Sequence, residues 1–131
     1  MNSFKKTYIY FLLVSSVLFW NTNAHAQYST FAVNSYSYAQ FSTSGTASID
    51  LYDRRNKKVG ILIFKPLSTE QLPLASMDSR GLVRLWYTIE SLPYVVDLLR
   101  NESPISLNYW HGVEDNSHIG TSKKESVGEG E

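Results

Sequence analysis

The chain has 131 residues, twelve basic against twelve acidic, no cysteine, and an aromatic content of 14% in which nine tyrosines dominate. Balanced charge supplies no field to draw nucleic acid or anionic lipid. The lack of cysteine excludes a disulfide framework, a thiolate nucleophile and a lipid-modified amino-terminal cysteine.

The first 26 residues read as an export address. Lys5 and Lys6 give a positive start, Tyr8 to Trp20 is an apolar run, and Ala24-His25-Ala26 supplies the small-x-small pattern of a cleavage site. The segment resembles bacterial secretory signal peptides, and the resemblance covers residues 1–26 alone. The competing reading is an uncleaved anchor, but about 13 apolar residues fall short of the roughly 17 to 25 that a spanning helix needs. Cleavage after Ala26 leaves one domain's length of chain beginning at Gln27, with ten basic and twelve acidic residues, a net charge of −2. The expected location is periplasmic or secreted, with no stable membrane insertion after cleavage.

Residues 27–45 are rich in Tyr, Ser and Thr, and no charge occurs between Gln27 and Ile49. They read as a leader or a first strand, and the alternation Tyr36-Ser37-Tyr38 favours extended chain. Residues 46–122 read as a single globular domain. Thr46 to Asp53 alternates, with Ala47, Ile49 and Leu51 on one face and Ser48, Asp50 and Tyr52 on the other. Arg54-Arg55-Asn56-Lys57-Lys58 is a polar turn in which Asn56 tolerates positive φ, and Val59 to Phe64 returns as the second strand of a hairpin. That strand is apolar on both faces, which predicts a central, covered position. Residues 65–81, with Pro66, Pro73 and Gly81, read as a long connection with one helical turn near Leu72 to Met77.

Leu82 to Glu90 is the next predicted strand, with Val83, Leu85, Tyr87 and Ile89 on one face and Arg84, Trp86, Thr88 and Glu90 on the other. Ser91 is suited to cap a helix, Pro93 to its first turn, and Leu92, Val95, Val96 and Leu99 keep its apolar spacing until Pro104 stops it. Ile105 to Trp110 is a further strand, 117–122 a short edge strand, and 123–131 a disordered acidic tail. This order predicts an α+β domain, a mainly antiparallel sheet with one short helix packed on one face; a small all-β sandwich or barrel is the alternative.

Three groups of residues are candidates for function. Tyr52, Trp86 and Trp110, interleaved with Arg84 and Asn108, form a ligand-binding aromatic patch if their three strands share one sheet face. The competing reading folds residues 65–81, with Leu67, Leu72, Leu74 and Met77, over these rings as a second core layer. In the segment 111–118, His111, Glu114 and His118, with Asp115 beside them, offer ligands of the type a zinc ion takes, but the spacing matches no metal motif, and a solvated turn, which routinely carries such residues, is the reading the spacing favours. Arg54, Arg55, Lys57 and Lys58 concentrate positive charge at a hairpin tip, where it suits an acidic partner or a solvated turn that discourages edge pairing.

No Gly-x-Ser-x-Gly elbow, glycine-rich phosphate loop or His-Glu-x-x-His occurs, so the residues lean away from catalysis without deciding it, and they imply no cofactor. The reading that fits best is an exported, non-catalytic binding protein that recognises a protein or glycan partner in the cell envelope. One alternative is a metal-binding protein or metal-dependent hydrolase built on the 111–118 loop. The other is a structural or surface component that self-associates through the neutral segment 27–45. The residues leave the oligomeric state open.

Overall fold

The computed structural model describes residues 27–122; the segments read as an export address (1–26) and as a disordered acidic tail (123–131) lie outside the described residues. The chain enters as one extended stretch that changes sheet at Asn34: β1 (Tyr28–Val33) pairs with a late strand, whereas β2 (Ser35–Phe41) pairs with the strand that follows it. Residues 27–45 therefore hold an edge in each of two sheets.

β3 (Thr46–Tyr52) and β4 (Lys58–Lys65) form the expected hairpin. Its turn is organised by Asp53, whose Oδ1 accepts from the Arg55 and Lys57 amides at 2.8 and 3.0 Å while Asn56 takes φ 60°. A side-chain carboxylate that satisfies turn amides is the reason Asp favours such positions. Next come the two-residue β5 (Ser76–Met77) and β6 (Val83–Thr88). The five strands lie in the order β2-β3-β4-β6-β5, so the doubly apolar β4 is central as its pattern predicts. All neighbours are antiparallel except β4 and β6, which run parallel.

The second sheet has the order β1-β7-β8, with β7 (Ile105–Trp110) in the middle and β8 (His118–Thr121) at the edge, all antiparallel. The fold is α+β, and its strands divide between two sheets whose apolar faces meet. Ala47, Ile49, Leu51, Leu62, Phe64, Val83 and Leu85 from the larger sheet pack with Ile105, Leu107, Tyr109 and Ile119 from the smaller in one buried core. At Gly60 the sheets approach closely: a Cβ there would lie 2.3 Å from Leu107 Cδ2, so only glycine leaves room for that leucine.

The helix α1 (Leu92–Asn101) joins the sheets and contributes Val95 to the core, with Leu92, Val96, Leu98 and Leu99 packed against it. Two local expectations are corrected. The strand ends at Thr88 rather than Glu90, because the chain tightens into a 3₁₀ turn over Ile89–Ser91, and Ser91, drawn into that turn, makes no side-chain cap bond. No helical turn forms near 72–77; Ser76 and Met77 instead pair with Arg84 and Val83, because the Asp78 turn folds the segment back on β6. No helix among the described residues is long and apolar enough to cross a membrane.

Candidate functional site

The five candidate ligand-binding residues fall on two separate surfaces. β3 and β6 belong to the larger sheet, so Tyr52, Arg84 and Trp86 share its outer face. β7 belongs to the smaller sheet, so Asn108 and Trp110 lie on an outer face across the core. The single aromatic patch expected from one shared sheet does not form, because the switch at Asn34 recruits β7 to a second sheet.

On the larger sheet the aromatic rings are also apart. Tyr52 pairs with Lys58 and Trp86 with Ile63, five residues along β4, a separation of about 15 Å at the rise of a strand. Each residue is tied to charge or edge structure. Lys58 Nζ lies 2.5 Å from Asp50 Oδ2 and 6.0 Å from the centre of the Tyr52 ring, and its bond to Asp50 holds the ammonium above its ordinary pKa. Arg84 reaches Asp78 Oδ2 at 3.5 Å. Trp86, half-buried, borders a shallow cleft with Pro73, Leu74, Glu114 and Asp115. The segment 65–81 does not form a second layer over the rings: Leu67 and Leu74 are 74% and 60% exposed, and only Ala75 and Met77 join the core.

On the smaller sheet the geometry converges. Registration of β1 with β7 sets Tyr28 opposite Trp110 and Thr30 opposite Asn108, and β8 sets His118 on the other side of Asn108. Tyr28 and Trp110 form a tilted aromatic pair with centroids 4.8 Å apart, as directly opposed residues of an antiparallel pair can. Asn108 is 5% exposed although it points outward from the sheet, because its neighbours close over it. Its Oδ1 accepts from the Tyr28 hydroxyl at 2.5 Å and from Thr30 Oγ1 at 2.8 Å, and its Nδ2 donates to Ser106 Oγ and His118 Nε2, each at 3.2 Å. Both lone pairs of the carboxamide oxygen and both of its N–H donors are used, which is what its burial requires.

The network also fixes the tautomer of His118. Its Nδ1 lies 2.8 Å from the Asn116 carbonyl, which can only accept, so Nδ1 carries the proton and Nε2 accepts from Asn108. Trp110 is anchored from behind, its backbone N–H donating to Ser117 Oγ at 3.0 Å. The result is an aromatic pair, with Tyr28 50% exposed, set beside hydroxyl and imidazole groups that a single buried amide locks in place. Tyr28, Thr30 and Ser106 enter this surface without having been singled out in the sequence; the neutral 27–45 segment was the only signal, and the pairing of β1 with β7 spans some eighty positions of chain.

The three candidate metal ligands do not converge. His111 Nε2 lies 3.1 Å from Ser29 Oγ and its ring stands edge-on to Tyr109; Glu114 Oε1 accepts from the Gly112 amide at 3.1 Å; His118 belongs to the Asn108 network. Among the described residues no group of three or more His, Cys, Asp or Glu is gathered to hold a metal ion. Residues 114–116 form a 3₁₀ turn that carries the chain between β7 and β8, so proximity in sequence does not become a shared focus. Burial of Tyr109, reinforced by Glu114, raises its phenol pKa, consistent with a core position.

A concavity of about 230 Å³ lies where β1 passes into β2, between Asn34, Arg54 of the hairpin tip, and Leu99 and Glu102 at the end of α1. One cation, Arg54, and one carboxylate, Glu102, are among its lining residues. Compared with protein-family models, with curated proteins and with solved structures, the chain matches none of them.

Proposed function

We propose that this chain is an exported, non-catalytic binding protein that recognises a protein or glycan partner in the cell envelope through the outer face of β1, β7 and β8. The observation that carries the reading is the Tyr28–Trp110 pair beside the Asn108 network. Binding by aromatic contact needs rings whose positions are set before the partner arrives, since ordering them on binding would subtract from affinity. Here Tyr28 is held at both ends, its ring by Trp110 and its hydroxyl by Asn108.

A glycan fits the chemistry better than a flat protein surface. The C–H face of a pyranose packs on aromatic rings, and its hydroxyls find an acceptor in Thr30 Oγ1 and a donor in the Ser106 hydroxyl, groups whose bonds to Asn108 leave those capacities unused. The export address supports an envelope partner, and the absence of a recognisable nucleophile or phosphate loop in the sequence supports a non-catalytic role.

The test is a glycan array followed by titration monitored through tryptophan fluorescence, using the natural chain, Tyr28→Ala with Trp110→Ala, and Trp86→Ala. Binding that is lost in the double variant, retained in Trp86→Ala, and accompanied by an unchanged circular dichroism spectrum is the expected result. Equal binding by the natural chain and the double variant would remove this face from consideration.

A further inference from the structure

We propose that β2 is the pairing edge of a homodimer, in which two copies lay β2 antiparallel to β2 about a twofold axis at Tyr38 and merge their five-stranded sheets into one. Among the described residues β2 is the outer strand of its sheet, with β3 as its single neighbour. An outer strand presents a row of unpaired backbone groups, and natural sheets block such rows with charge, proline, bulges or brevity. None of these devices is present on β2. It has seven residues, Ser-Tyr-Ser-Tyr-Ala-Gln-Phe, paired with β3 in unbroken register from Ser35 to Phe41.

The contrast with the other edges is what points to this one. β5 has two residues and β8 four, too short to carry a ladder. β1 is also neutral, but it is the edge of the smaller sheet, one residue shorter than β2 and half-buried at three of its six side chains. Of its side chains only Tyr36 is even half-buried; Tyr38 is 46% and Phe41 51% exposed.

A second copy is the occupant that the strand's own chemistry selects. With no charge from Gln27 to Ile49, β2 offers nothing to attract a charged peptide and nothing to repel itself. A twofold axis perpendicular to the sheet keeps each side chain on its own face, so residues of equal parity must oppose one another. Centring on Tyr38 uses all seven residues: Tyr38 meets its own copy, Tyr36 meets Gln40, Ser37 meets Ala39 and Ser35 meets Phe41. Both exposed aromatic rings are then covered by cross-strand neighbours. This is an isologous contact, which closes at two copies.

Sedimentation velocity on the full chain, from about 1 to 100 μM, should show a monomer giving way to a dimer by mass action. Tyr38→Lys sets two ammonium groups against each other at the axis and should raise the midpoint at least tenfold. Because the chain has no cysteine, Tyr38→Cys introduces one thiol per copy at opposed positions, and mild oxidation should give a disulfide-linked dimer in high yield, whereas Glu70→Cys on the exposed 65–75 loop should not. A chain that stays monomeric throughout overturns the proposal. So does a dimer that crosslinks through residue 70 and not through 38, or one that a folded Tyr38→Lys leaves unchanged; should that variant unfold, the cysteine pair decides.

Discussion

Asn108 shows how one side chain can organise a surface. In sequence it is a polar residue on the outward parity of a strand, which is ordinarily a solvated position. In the fold it is buried by four partners drawn from three strands, Tyr28 and Thr30 on β1, Ser106 on its own β7, and His118 on β8. Truncation leaves two hydroxyl donors and an imidazole nitrogen facing one another without their common partner. Asn108→Ala should therefore cost about 1–3 kcal/mol of folding stability, more than an exposed hydrogen bond would, as read from urea denaturation. The same variant should loosen Tyr28 and weaken glycan binding, whereas an Ala at exposed Glu70 should do neither.

At the scale of elements, the turn before β6 is set by one carboxylate. Asp78 Oδ1 accepts from the Arg80 and Leu82 amides at 2.9 and 3.0 Å, the Asp78 N–H donates to the Leu82 carbonyl at 3.1 Å, and Arg80 and Arg84 stand nearby. The bond from the Leu82 amide, more than the arginine charges, holds the Asp78 carboxyl below the usual carboxylate range. A depressed folded pKa means that the ionised form is favoured by folding. Its stabilisation is therefore complete above the ordinary value, about 3.9, and is lost as pH falls through the folded one. Melting temperatures measured between neutral and strongly acidic pH should fall less steeply for Asp78→Asn than for the natural chain. This turn also explains why the sequence misled locally: Leu72 to Met77 has residues that suit a helical turn, but Asp78 reverses the chain so that Ser76 and Met77 gain backbone partners on β6. The hairpin, by contrast, was legible, since alternation in β3, the polar turn 54–58 with Asn56 and the apolar β4 all specify the same local structure, although the part that Asp53 plays in the turn was not legible.

For the whole molecule, Gly60 against Leu107 is a close approach between the two sheets within their shared core. Gly60→Ala forces the buried leucine aside and should cost about 1–3 kcal/mol through overpacking. Leu107→Ala alone should cost about 2–5 kcal/mol through the cavity it leaves. Because the new methyl occupies part of that cavity, the double variant should lose less than the sum of the two, a coupling that a double-mutant cycle in urea measures directly. The sequence by itself determined most of the elements, β5, the 3₁₀ turn after β6 and the division of 27–45 into two strands excepted: strand periodicity, turn residues and helix spacing act over a few neighbours, so they can be read from a short window, and together they specify an α+β domain with β4 at its centre. Only the tertiary structure decided which strands share a sheet. That choice turns on Asn34, where β1 and β2 part, and on pairings between residues about eighty positions apart, whose register is set by burying one face of each sheet against the other. It separated Trp86 from Trp110, brought Tyr28 to Asn108, and left β2 as an open edge, because packing across the core and not local propensity fixes where a strand finds its partner.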